Sequence, residues 1–247
     1  MTKLTSGIVL ALTLILFNST IAQADTSNYK VELLIFSHKA SDTLADEIWP
    51  TIDSIPQRRS RSLEYHQQGQ NIGYFTRLPK SSLSLSGKQA SLRRSSLYRV
   101  LFHEAWIQPI SGKKDLNVVR INGGDILDNG LYELDGYISI EKGRYLHFRS
   151  DLFHSRRLSH EESLMLRKPA TEAMMTPVQD TAEESSADQR LTQPQGESAN
   201  GNLYLTQTTI PDFLTVNMKT ARRMRSSELH YLDHPLFGML VIITPVN

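Results

Sequence analysis

Two histidines and a carboxylate lie within five residues near the C-terminus, at His230, Asp233 and His234. On a helix, positions i, i+3 and i+4 share one face, and metal sites use this spacing. However, Pro235 follows directly, and the apolar run from Leu236 is typical of a strand. On a strand Asp233 points away from both histidines, and the HExxH pattern of zinc hydrolases is absent. We therefore expect a structural corner between strands, with a metal-dependent hydrolase as the alternative.

Arginines and aromatic residues suggest a different chemistry. Arg222 and Arg223 lie shortly before the histidine cluster in sequence, and Arg144 and Arg149 flank the second strand of a predicted hairpin. Guanidinium groups bind carboxylates and phosphates bidentately, and aromatic rings stack on sugars. Such a surface would bind an anionic envelope glycan or an acidic protein, although ordinary surface ion pairs are the simpler explanation. The candidate ligand-binding residues are Arg222, Arg223, His230, Tyr231, Asp233, His234 and Trp106.

Other kinds of catalytic site find little support in the sequence. The chain has no cysteine, which removes thiol nucleophiles, disulfides and cysteine-ligated metals. It also lacks the GxSxG motif of serine nucleophiles, an SxxK motif accompanied by its partner motifs, and any glycine-rich phosphate loop. Carboxylate pairs such as Glu133 and Asp135 more often form a solvated strand face than a glycosidase site. We expect a protein that is not an enzyme and uses no cofactor.

The N-terminus has the pattern of a secretory signal peptide. Lys3 precedes an apolar run at residues 8–17, and Ala-Gln-Ala follows at residues 22–24. This run is shorter than the about 20 residues needed to span a membrane. We expect cleavage after Ala24, a periplasmic protein without a membrane span and, for lack of cysteine, no lipid anchor. A net charge of +1 argues against a nucleic-acid partner.

Hydrophobic patterning predicts an α+β domain, mostly antiparallel sheet with one or two helices. The alternation at residues 131–153 predicts a hairpin, with Gly143 supplying a positive φ in its turn. Residues 98–108 fit a helix or a strand, and their aromatic content favours the strand. Strands are also expected at residues 29–37, 203–209, 214–224 and 236–243, the last one central and buried, and a helix at residues 86–96.

One segment interrupts this pattern. Residues 171–202 have few large apolar side chains, contain Pro177 and Pro194, and carry several acidic residues against the single base Arg190. A segment of this kind buries too little apolar surface to offset the entropy of ordering it. Because strand patterns resume afterwards, we expect a disordered acidic insertion at about residues 155–202 within one domain that extends from residue 25 to residue 247.

Several stretches resemble the CsiV family. They are VELLIF at residues 31–36 with Trp49-Pro50, YRVLFHEAWIQP at 98–109, ELDGYISIEKGRYLHFRSDL at 133–152 and RRMRSSELHYLDHPLFGMLVIITPV at 222–246. The resemblance implies a Gram-negative periplasmic protein that binds peptidoglycan, promotes cell-wall synthesis and cell shape, and lacks catalytic activity. Its implied partners are an outer-membrane lipoprotein and the class A penicillin-binding protein that this lipoprotein activates. A protein-interaction module without glycan affinity is a further alternative.

Overall fold

The computed structural model describes residues 27–39, 44, 49–50, 52–112, 118–172 and 212–246, apart from the side chains of residues 167–172. The predicted signal peptide, the strand predicted at residues 203–209 and most of the predicted insertion lie outside the described residues. Within the described part, no helix is long and apolar enough to cross a membrane.

Two β-sheets and two helices make up the described structure, which confirms the predicted α+β class. The elements are β1 (Ser27–His38), β2 (Arg61–Ser62), α1 (Ser86–Arg94), β3 (Tyr98–Ile110), β4 (Val119–Ile126), β5 (Tyr132–Lys142), β6 (Leu146–Arg157), α2 (His160–Glu172), β7 (Phe213–Met224), β8 (Leu229–His234) and β9 (Phe237–Pro245). One sheet has the order β3-β1-β9-β8 and the other the order β2-β4-β5-β6-β7. All their pairings are antiparallel except the short parallel contact between β2 and β4.

The core lies between the two sheets. Val31, Leu33 and Ile35 alternate along β1 and belong to the same buried cluster as Phe148 on β6 and Val241 on β9. Burial of each such side chain contributes roughly 1.5–3 kcal/mol. The final strand β9 pairs with β1 on one side and with β8 on the other, which confirms the expected central position. Residues 98–108 form a strand paired with β1, as their aromatic content predicts.

The β5–β6 hairpin is confirmed, but the reason predicted for its turn is wrong. Gly143 is not among the described glycines with a positive φ, and its N–H donates to the carbonyl of Tyr145 at 3.0 Å. A glycine is required instead at Gly136, where φ is +141°. A Cβ atom there would lie 2.3 Å from the carbonyl oxygen of Asp151 on the neighbouring strand.

The predicted insertion starts too early in the chain. Strand β6 continues to Arg157 because Ser155 is buried and its hydroxyl forms a 3.0 Å hydrogen bond with Thr215 on β7. Helix α2 then begins at His160 with a capping box: Ser159 Oγ accepts from the N–H of Glu162, and Glu162 Oε2 accepts from the N–H of Ser159. These polar residues therefore satisfy each other's hydrogen bonds in regular structure, which composition alone does not reveal.

Candidate functional site

The predicted site residues are divided between the two sheets. Arg222 and Arg223 lie at the end of β7, in the five-stranded sheet, whereas the other candidates of the C-terminal block lie on β8, in the four-stranded sheet. Within β8 the side chains alternate in direction. His230 and His234 pair with Val241 and Phe237 on the core side, and Tyr231 and Asp233 pair with Leu240 and Gly238 on the outer side. The predicted polar corner is therefore not a single cluster.

Trp106 is fully buried, so it cannot contact a ligand at the surface as predicted. Its side chain has no exposed surface, it lies opposite Val31 of β1, and its Nε1 donates to Gln108 Oε1 at 2.7 Å. A ring in this position has no face on which a sugar could stack. The aromatic run that contains it serves the core between the sheets.

Tyr231 and Asp233 belong to an aromatic cluster on the outer face of the four-stranded sheet. The Tyr231 hydroxyl donates to Asp233 Oδ1 at 2.6 Å, and its ring lies parallel to that of Phe36, with centroids 6.4 Å apart. Desolvation, together with the Asp233 carboxylate, raises the pKa of Tyr231 well above its ordinary value. The phenol therefore stays protonated and acts as a hydrogen-bond donor, which is a structural role.

The two histidines also have separate structural contacts. His230 Nε2 lies 3.3 Å from both the backbone N and the carbonyl O of Arg225, where it joins the two ends of the β7–β8 turn. His234 packs on the rings of Trp49 and Phe237. In the part of the chain that the structure describes, no three His, Asp or Glu side chains converge as a metal site requires. His230 and Asp233 point to opposite faces of β8, so the three predicted side chains do not form one metal site.

A row of cationic side chains lies instead on the outer face of the five-stranded sheet. The basic strip consists of Arg58, Arg149, Lys219 and Arg223. In the β6–β7 register Lys219 pairs with Asp151, Ala221 with Arg149, and Arg223 with His147. Alternate residues of a strand share a face and lie about 6.7 Å apart. The strip therefore follows β7 for several residues, and Ala221 leaves space between its two cations.

The segment before β2 turns this face into a groove. Ile55 packs with Val118, Tyr137 and Phe153 in a small apolar cluster, and the N–H of Arg58 donates to the Tyr137 hydroxyl at 3.2 Å. These contacts hold Arg58 beside the sheet. The groove encloses about 690 Å³, within the roughly 300–1,000 Å³ typical of ligand sites. Its lining includes Arg58, Tyr137, Ser139, Arg149, Asp151, Lys219 and Ala221.

The basic strip has an excess of positive charge. Arg149 forms an ion pair with Glu141, and Arg58 Nη1 lies 3.6 Å from Asp151 Oδ2. Lys219 and Arg223 have no acidic side chain within 4.0 Å among the described residues. A cation without an internal partner on the surface is available to an external anion.

An exposed tyrosine lies where the strip meets the β5–β6 turn. Tyr145 is 38% exposed, and two guanidinium groups lie against its ring, Arg223 at 4.5 Å and Arg144 at 5.7 Å from the centroid. Cation–π contacts of this kind hold the ring and the guanidinium groups in fixed positions. A small cavity of about 210 Å³ lies beside it, next to Tyr29 and Met224. The arrangement offers a stacking surface next to groups that bind carboxylates.

Sequence reasoning identified only part of this surface. Arg223 is among the predicted site residues, but Lys219 and Tyr145 are not. The available signal was the alternation of Lys219, Ala221 and Arg223 along a predicted strand. The contribution of Arg58 comes from a segment distant in sequence and depends on the tertiary fold.

Comparisons with known proteins identify one family. A family model described as "Peptidoglycan-binding protein, CsiV" matches residues 8–246. Among curated proteins, none matches this sequence. Solved structures give only weak similarity. The InvG secretin domain β-barrel from the Salmonella SPI-1 injectisome is 7% identical, with a TM-score of 0.25, and the match covers 98% of this chain and 68% of that one. A second InvG secretin structure is 8% identical, with a TM-score of 0.24 and coverages of 100% and 71%. These scores are too low to support any inference.

Proposed function

We infer the function of this protein from the family to which the chain belongs, the CsiV family of peptidoglycan-binding proteins, whose model matches residues 8–246. We propose that the protein acts in the periplasm as a non-catalytic accessory factor that binds peptidoglycan through the basic strip. The match over nearly the whole chain is the observation that supports this proposal most strongly.

The chemistry of the basic strip suits peptidoglycan. This polymer consists of amino-sugar strands that carry short stem peptides with free carboxylates. Lys219 and Arg223 have no acidic partner among the described residues, and both are exposed on one strand face. Guanidinium and ammonium groups bind carboxylates strongly, and the Tyr145 ring beside Arg223 can stack on a sugar. The strip would therefore bind stem peptides along the 690 Å³ groove.

The carboxylates at the groove support the proposal of binding without glycoside cleavage. Glycoside hydrolysis requires two carboxyl groups, of which one is protonated and acts as the acid. Among the residues that line the groove, Asp151 is the one with a carboxylate; it accepts from Asn217 at 2.9 Å and lies beside Arg58. Glu141, outside the lining, pairs with Arg149. The groove is thus suited to binding.

The cellular role that we propose goes beyond peptidoglycan binding. A non-catalytic binder influences synthesis only by bringing an enzyme or its regulator to the polymer. We propose that this protein promotes cell-wall synthesis, and so cell shape, together with an outer-membrane lipoprotein that activates a class A penicillin-binding protein. A protein-interaction module without glycan affinity is the alternative that the experiment below distinguishes.

The decisive experiment is co-sedimentation of the purified protein with peptidoglycan sacculi at low and high salt, followed by analysis of released muropeptides. We expect retention that weakens with salt, because exposed charges are screened over about 10 Å at 0.1 M ionic strength, and no released fragments. Absence of retention would refute direct binding and favour the protein-interaction module. Released fragments, or zinc bound in stoichiometric amount, would instead indicate a hydrolase.

A further inference from the structure

A further cavity lies next to β2, at the edge of the five-stranded sheet opposite to β7, the strand that carries Lys219 and Arg223. It is formed by residues 64–76, directly after β2, and encloses about 460 Å³. Its lining is rich in amides and contains no lysine or arginine. The side chains that could contact a ligand include those of Glu64, Tyr65, Gln67, Gln70 and Asn71.

The base of this loop is fixed to β3, the edge strand of the four-stranded sheet. The N–H of Phe75 donates to the carbonyl of Ile107 at 2.8 Å, and the N–H of Leu78 donates to that of Ala105 at 2.7 Å. Phe75 is buried in the main core and has a φ of +63°. A bulky residue in this conformation is an outlier that persists only where the surrounding structure imposes it, and such strain clusters at binding sites. The cavity is therefore built on a rigid support.

Tyr65 is the unusual feature of the cavity wall. Tyr65 is 77% exposed, and the Arg77 guanidinium lies 4.1 Å from its ring centroid and supports one face of the ring. Arg77 is itself held by the carbonyl of Leu63 and lies 3.9 Å from Glu104. Because it is so exposed, Tyr65 contributes little to the packing of the core. An aromatic ring supported on one face and open to solvent is suited to stacking on a ligand.

The chemistry of the lining matches that of a neutral sugar. Amide side chains both donate and accept hydrogen bonds, as sugar hydroxyl and N-acetyl groups require, and the tyrosine supplies an apolar face. The volume of about 460 Å³ lies within the roughly 300–1,000 Å³ of small-ligand sites. We propose that this cavity binds an amino-sugar unit of the glycan strand, independently of the stem peptides. This inference rests on the proposed function and assigns the sugar component of the same polymer to a separate site.

Two separate sites would explain how a modest surface can hold a polymer. The unpaired cations Lys219 and Arg223 lie on β7 and the cavity follows β2, and these strands form the two edges of the five-stranded sheet, so about 19 Å separates the two strands at roughly 4.8 Å per strand. Sites that bind one polymer at two places raise its apparent affinity without any new contact, provided that the geometry allows simultaneous binding. The cavity would contribute the part of the binding that salt does not weaken.

The test is calorimetric titration of the full protein with glycan strands from which an amidase has removed the stem peptides. We expect binding at both low and high salt. Replacement Tyr65→Ala should weaken it about tenfold, or ~1.4 kcal/mol, and the double variant Gln67→Ala/Gln70→Ala should also weaken it. Tyr74→Ala is the matched control, since Tyr74 is 54% exposed on the same loop but does not line the cavity. Its affinity should stay within about twofold, or ~0.4 kcal/mol.

The outcomes separate this inference from the proposed function. The double variant Lys219→Ala/Arg223→Ala should retain binding to peptide-free strands, while its retention on intact sacculi at low salt should fall about tenfold or more. Retention on sacculi without binding to peptide-free strands would overturn the sugar site alone. Failure to bind either material would overturn both proposals. Equal losses in Tyr65→Ala and Tyr74→Ala would show that the loop as a whole, and not the cavity, governs binding, and would also overturn the assignment.

Discussion

Glu32 on β1 and His103 on β3 form a buried pair, with Glu32 Oε1 3.0 Å from His103 Nε2. The same carboxylate accepts from the backbone N–H groups of Ser84 and Leu85, each at 2.8 Å. Glu32 thereby fixes the segment before α1 to the outer face of the four-stranded sheet. Burial alone would raise the pKa of Glu32, but these hydrogen bonds and Lys30 outweigh it and lower the pKa to about 2.

This lowered pKa predicts a specific dependence of stability on pH. A carboxyl group whose pKa is lower in the folded state stabilises the protein above its ordinary value of 4.5, and this contribution is lost as the pH falls towards about 2. At 1.36 kcal/mol per pH unit the contribution is about 3 kcal/mol. Glu32→Gln should destabilise the fold by a similar amount at pH 7 and flatten the stability profile between these two pH values.

Denaturant unfolding at a series of pH values measures this effect. Glu228→Gln is the control, because Glu228 lies on the surface and its side chain is 52% exposed. We expect that control to unfold like the unmodified protein. If the free energy of unfolding of Glu32→Gln declined between pH 4.5 and about 2 as steeply as that of the unmodified protein, the role assigned to the buried pair would be contradicted.

Acidification should also reduce stability through His154, and at a higher pH than through Glu32. His154 is buried, its Nδ1 lies 2.7 Å from the Glu133 carbonyl, and desolvation lowers its pKa from 6.5 to about 4 despite that hydrogen bond. Below pH 6.5 the unfolded state takes up the proton first, so stability falls as the pH drops from 6.5 to about 4. His154→Gln keeps a donor for the carbonyl and should remove this decline. The measurement is the free energy of unfolding at pH 7 and pH 5, and a decline that persists in the variant would assign it to another group.

Gly238 leaves room for two aromatic rings on the outer face of β9. A Cβ atom there would lie 2.8 Å from Cζ of Phe36 and 3.1 Å from Cε2 of Tyr231. Gly238→Ala should therefore cost about 1–3 kcal/mol through overpacking. A second change, Phe36→Leu, should recover part of that loss, which a double-mutant cycle would reveal as a coupling energy.

The matched control for this prediction is Gly87→Ala in helix α1. A Cβ atom at that position would meet no neighbouring atom within 4 Å, and alanine favours a helix by about 1 kcal/mol over glycine. Thermal or denaturant unfolding should show this variant to be neutral or more stable than the unmodified protein. Equal destabilisation in the two variants would mean that loss of glycine flexibility, and not the aromatic contact, is responsible.

Removal of the unpaired cations of the basic strip should weaken binding to sacculi. We expect Lys219→Ala/Arg223→Ala to reduce retention about tenfold or more at low salt and to reduce its salt dependence, because screening acts on the charges that were removed. The control Lys88→Ala/Arg93→Ala removes the same charge from exposed positions of α1. Co-sedimentation should show the control bound as before. Equal losses in the two variants would indicate attraction by net charge alone.

The sequence by itself determined the class of fold and most of its elements. Period-two alternation identified the β5–β6 hairpin and β7, and the continuous apolar run identified β9 as a central strand, because the two faces of a sheet impose these patterns locally. The family was also evident from contiguous stretches of sequence, and the family model matches residues 8–246.

Only the tertiary structure decided which residues share a surface. Arg222 and Arg223 are close to Tyr231 in sequence, yet the β7–β8 turn carries the chain from one sheet to the other and so separates them. The same fold brings Arg58 to Lys219 across distant segments and buries Trp106, whose aromatic character had suggested a binding role. Periodicity specifies which face of a strand a side chain occupies, but the pairing of strands specifies its neighbours.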